Sequence, residues 1–157
     1  MEINLDKDLR GGVTSVLLMS ADEAIGAVFS SEGVALSLPS VSTVDVVPEE
    51  DSAQWTEVVE RREGATRVEH RLEMAIPWAH QAVRLITDSP RGVVAVVTLL
   101  DGRKILAGYS AKFAAEQPLR IGSMTRISGR TREDDARWKI VLIGVDDAPA
   151  PNCTIIN

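Results

Sequence analysis

"RVEHRLEMAIPW", Arg67 to Trp78, decides how this chain folds. Val68, His70, Leu72, Met74, Ile76 and Trp78 lie on one side of an alternation; Arg67, Glu69, Arg71 and Glu73 lie on the other. A helix would gather Val68, Leu72 and Ile76 but carry His70 and Met74 well around the cylinder. Period two accounts for more of the positions, so the spacing predicts a strand with one apolar and one charged face. The preceding "WTEVVERREGAT" alternates too, and Gly64 can take the positive φ that a hairpin turn needs. An antiparallel hairpin follows, its Arg/Glu face in solvent or against a partner. His70 is expected to be a core or interface residue, not a ligand.

Outward from this hairpin the chain keeps reading as strand. "VVAVVTLLDGRKILAGYS" holds a continuous apolar run, then Asp101-Gly102, then a second apolar segment. Asp-Gly suits a type I′ turn, so a tight hairpin at the centre of a sheet is expected. "GGVTSVLLMS", Gly11 to Ser20, reads as a buried strand, and "SEGVALSLPSVSTVDVV" as a strand broken at Pro39. "PLRIGSMTRISGRTREDDARWKIVLIGVD" predicts another hairpin with a charged tip.

One or two short helices are expected. Ser20 with Glu23 fits a capping box that would start one over "ADEAIGAVF", although Gly26 weakens it. Pro77 would pre-set the first turn of the other, from about Trp78 to Thr87. The fold class is therefore mainly β, as a β-sandwich or barrel-like set of antiparallel sheets with one or two short α-helices. Residues 1–146 are expected to form a single domain, and residues 147–157, "DAPAPNCTIIN", an extended C-terminal tail reaching a neighbour.

Composition narrows the function more than it identifies it. A chain of 157 residues buries roughly 70% of its unfolded surface and needs no staples. The 17 basic against 23 acidic side chains give a net charge of -6, which argues against a binder of nucleic-acid backbones. Cys153 stands alone, so no intrachain disulfide is possible. "MEINLDKDLRGG" has no apolar h-region, and no run approaches the roughly 20 apolar residues of a membrane helix. His70 and His80 lack metal-ligand spacing, the serines lack a GxSxG elbow, and the acidic runs lack a calcium register. No catalytic residue, metal or cofactor is expected. A pocket joining His70 to carboxylates is the one feature that would reopen an enzymatic reading.

The order of these segments resembles that of small structural proteins of the tail or head–tail connector of phages and prophages of Bacteroidetes bacteria. The likeness is carried by "GGVTSVLLMS", the exposed strand pair, a short helix, "VVAVVTLLDGRKILAGYS", "PLRIGSMTRISG", "WKIVLIG" and the terminal "DDAPAP". It runs from about Gly11 to Pro151, and leaves "WAHQ" and "VVPEEDS" unmatched. The resemblance implies a virion component, made in the host cytoplasm, that assembles as a homo-oligomeric ring or tube with other virion proteins.

Exposure and charge then single out Arg67, Glu69, Arg71 and Glu73, with Arg130, Arg132, Glu133 and Asp134 at the second hairpin tip, as candidate subunit contacts. Charge reversal at Arg130 and Arg132 is expected to change assembly as read by sedimentation. The alternative is a monomeric β-domain that binds a peptide or small ligand, with Trp55, Trp78 or Trp138 as the floor of its pocket.

Overall fold

The computed structural model describes residues 12–22, 26–30, 33–37, 43–50, 52–78, 80–110, 114–130 and 136–156. In chain order the strands are β1 (Val13–Ser20), β2 (Gly26–Ser30), β3 (Gly33–Ser37), β4 (Val44–Val46), β5 (Gln54–Arg62) and β6 (Ala65–Pro77). The helix α1 (Gln81–Thr87) follows, and then β7 (Val93–Leu99), β8 (Lys104–Ala107), β9 (Arg120–Ile127), β10 (Arg137–Asp146) and β11 (Cys153–Ile156). The protein is mainly β, with one short helix among the described residues.

Three sheets form three layers. The middle sheet has the order β4-β1-β7-β8, a second sheet β5-β6-β10-β9, and a small third sheet β11-β3-β2. Alternation along β1 and β7 explains the layering. Val16, Leu18, Val93, Ala95 and Val97 pack against Leu72, Met74, Ile76, Ile140 and Leu142 of the second sheet, with Ala82 and Ile86 of α1. Met19, Val94 and Val96 turn the other way, onto Val34, Leu36 and Cys153 of the third sheet. The middle sheet is thus covered on both faces, which is why β7 reads as an unbroken apolar run.

The opening stretch folds as its alternation requires. Val68, Leu72, Met74 and Ile76 point into the core, while Arg67 and Arg71 face out. Glu63 (φ 52°) and Gly64 (φ 82°) both have positive φ, as a two-residue type I′ turn demands. The Asp101-Gly102 turn differs from its expectation. The amide of Gly102 donates to Leu99 O (2.9 Å) and that of Leu99 to Arg103 O (2.8 Å), so the loop is Leu100-Asp101-Gly102. Only Gly102 among these is left-handed (φ 91°), which is a type I turn closed by a glycine bulge. β7 lies inside its sheet but β8 lies at its border, so the hairpin is not wholly central.

Three other expectations are corrected. The helix over "ADEAIGAVF" is overturned at its C-terminal half, where Gly26–Ser30 is β2, paired antiparallel with β3. Ser20 Oγ accepts from the amide of Asp22 (3.3 Å), and Glu23 of the expected capping box lies outside the described residues. The second helix starts later than Trp78, because Pro77 ends β6 and His80 is the cap, its Nδ1 accepting from the amide of Ala82 (3.0 Å). β6 itself is an inner strand between β5 and β10. Finally, the extended C-terminal residues return to their own chain, where β11 pairs parallel with β3 and the amide of Leu106 donates to Pro151 O (3.0 Å). The break at Pro39 lies outside the described residues.

Candidate functional site

The charged face of β6 is a ladder whose rungs are joined within the chain. Arg71 Nε lies 2.7 Å from Glu73 Oε1, and Arg67 lies 3.9 Å from Glu69 and 3.7 Å from Glu60 of β5. Pairs two residues apart on a strand share a face, so alternating Arg and Glu neutralise each other locally. Exposed pairs of this kind contribute little to stability, about 0–1 kcal/mol each. Their chemical use is to keep a face wet and of mixed sign.

Beside the ladder runs the border strand β5, which among the described residues pairs only with β6. Val58 and Val59 are 49% and 58% exposed, on opposite faces of this strand. β9 forms the opposite border, and Arg130 follows it. Arg132, Glu133 and Asp134 lie outside the described residues. The interface candidates of β6 are thus brought together on one face, near an open strand edge that the alternation of β6 alone did not reveal.

A second feature, missed in the sequence, lies where all three sheets meet. After β10 ends at Asp146, the segment through Pro151 crosses from the second sheet to the third. It encloses a pocket of about 190 Å³ with His70 of β6, Leu106 and Tyr109 at the end of the middle sheet, and Phe29 of β2. The Phe29 and Tyr109 rings are nearly parallel (8°), with centroids 6.2 Å apart. The tryptophans take no part. Trp55 packs on His70 at 5.4 Å and donates through Nε1 to Glu57 (2.8 Å), while Trp78 lies under Arg126 (3.9 Å).

His70 is only 4% exposed, and its Nε2 has no hydrogen-bond partner among the described residues. The Oε2 of Glu57 stands 4.0 Å away, beyond hydrogen-bonding reach. An unpaired buried nitrogen costs about 1–3 kcal/mol. The expected core histidine is therefore buried but unsatisfied. A Cβ at Gly144, opposite it in β10, would meet Leu119 Cδ2 at 2.9 Å, so the leucine side chain would have to shift.

The pocket does join His70 to carboxylates, those of Asp146 and Asp147. Burial pushes the Asp146 carboxyl above the usual carboxylate range, opposed by the amide of Asp147 (2.7 Å) and by the Ser110 hydroxyl. The Ser110 hydroxyl thus donates to the Asp146 carboxyl. Because the folded state holds this proton more tightly, Asp146 favours folding most below the ordinary carboxylate pKa. That contribution is lost as pH rises through the raised folded value. Asp146→Asn is expected to flatten the fall in urea midpoint as pH rises above the ordinary carboxylate pKa of about 4.

Cys153 faces the core between the middle and third sheets, and burial pushes its thiol up to about 11, with Lys104 opposing. At pH 8 it should react with a disulfide reagent about 100-fold more slowly than an unstructured thiol, and at the normal rate in denaturant. Equal rates in both conditions would contradict that burial. Among the described residues no helix is long and apolar enough to cross a membrane, and no group of three or more His, Cys, Asp or Glu is placed to hold a metal. Comparison of the chain with protein-family models, curated proteins and solved structures finds no match.

Proposed function

We propose that this protein is a structural component of a phage-derived particle, in the tail or neck, that assembles with copies of itself and with other virion proteins. The observation that carries this reading is the β5 border. Among the described residues the nine residues of this strand pair on one side only, and Val58 and Val59 are exposed on it. Strand addition uses such an edge, with main-chain hydrogen bonds for affinity and side chains for register. The neighbouring Arg/Glu ladder supports the same reading. Its mixed sign suits pairing with an identical ladder and penalises a shifted one. A ring follows if the contact is heterologous and its rotation closes.

The test is a double substitution, Val58→Lys with Val59→Lys, compared with the parent chain by sedimentation velocity. Both positions are exposed, so the fold should be unaffected and far-ultraviolet circular dichroism unchanged. The parent should sediment as an oligomer and the variant as a monomer. Identical sedimentation of the two at assembling concentrations would remove the β5 edge from the account.

A further inference from the structure

The sheet that carries the β5 edge has a second border, β9, and the chemistry of the two differs in a way that fits them to each other. Among the described residues β9 pairs only with β10, and none of its eight residues is buried. Its charged residues are Arg120 and Arg126, with no acid, so a second β9 would bring no carboxylate to it. β5 carries Glu57 and Glu60.

Strand direction agrees with this. Each step from β5 to β6, β10 and β9 is antiparallel, so the two borders run opposite ways. A second copy set beside the first in the same orientation meets β9 with an antiparallel β5, and the sheet continues from chain to chain. Faces then narrow the register. Met124 and Arg126 stand opposite Ile140 and Trp138, and through them share a face with Met74 and Ile76. Glu57 and Val59 stand opposite His70 and Val68, on that same face of β6. A slip of one residue would join unlike faces. Of the registers that keep the faces, one sets Arg126 opposite Glu57, Thr125 opposite Val58 and Met124 opposite Val59. Moving two residues either way sets Arg126 against Trp55 or Val59 and loses the charge pair.

We infer that β9 receives the β5 edge of a second copy of this chain, antiparallel, with Arg126 opposite Glu57 and Thr125 opposite Val58. The inference rests on the reading of β5 as an assembly edge and adds what that edge meets. Pairing β5 with another β5 would leave β9 bare, whereas one head-to-tail contact, repeated, covers both borders of every copy.

Opposed residues of antiparallel strands lie about 4.5–5.5 Å apart between Cα atoms, within the reach of a disulfide. The experiment uses two full-length variants, Val58→Cys and Thr125→Cys, both at exposed positions. Each is oxidised alone and in an equimolar mixture, and the products are separated without reductant, with sedimentation velocity run in parallel. A cross-linked dimer should form in the mixture, and in neither variant alone beyond the level of the parent chain, whose Cys153 is buried. With Ser123→Cys in place of Thr125→Cys, two positions along the strand, the yield should fall about tenfold. Val58→Cys cross-linking to itself as fully as in the mixture would overturn the inference and leave assembly standing, because β5 would then meet β5. An assembled mixture without the cross-link would overturn it in the same way. A parent chain that sediments as a monomer at every concentration would remove the assembly reading itself, and this inference with it.

Discussion

Replacing Met19 by lysine is expected to cost about 4 kcal/mol, enough to unfold much of the population. Met19 is fully buried, on the face of β1 turned away from the charged sheet. It lies against Val34 and Leu36 of the third sheet and Val94 and Val96 of β7. A lysine there has no acid partner in that cluster, so its charge would be buried or its strand forced open. Two sheets alone would leave Met19 at a wet surface, where lysine is harmless. The substitution thus tests the third layer directly. Val47→Lys, at a position 70% exposed, is the control and should change the urea midpoint little. Equal midpoints for both variants would show that the third sheet does not cover the middle one.

The second large effect is expected at Gly92, just before β7. Its φ of 117° is one that side chains rarely adopt, and a Cβ would stand 2.5 Å from the carbonyl oxygen of Leu119. That carbonyl accepts from the amide of Val93 (2.9 Å), and the carbonyl of Gly92 accepts from Ala21 (3.0 Å). Backbone crosses backbone here, so neither side can yield cheaply. Gly92→Ala should cost about 3 kcal/mol by summing strain and overpacking. By contrast Gly12, also at positive φ but with open space around it, should tolerate alanine with a smaller loss. Equilibrium denaturation of both variants would measure the contrast, and equal losses would contradict the crossing.

What the sequence disclosed depends on how local the cause was. The alternation from Val68 to Ile76 is set by one strand's two faces, so it could be read directly. The unbroken run of β7 announced burial on both sides, though not which sheets would supply it. The helix expected over "ADEAIGAVF" gives way at Gly26–Ser30 to pairing with β3, which depends on residues beyond it. Pro77 misled similarly, since β6 continues through it before His80 caps the helix. The return of β11 was illegible, because a parallel pairing across more than a hundred residues leaves no local pattern. For the same reason Phe29, His70, Tyr109 and Asp146 gave no hint of meeting. The odd histidine in an apolar row was the signal available, and only the absence of a partner for Nε2 gives it meaning.

Self-assembly is the central claim, and the mass of the purified protein in solution tests it most directly. Light scattering across a range of concentration and salt should give a mass several times the 17.0 kDa of one chain, settling at a fixed multiple or growing into tubes. Salt should shift the concentration at which this occurs, because the Arg/Glu ladders are exposed and screened. A mass of one chain under every condition would contradict the account of the β5 edge as a self-assembly surface.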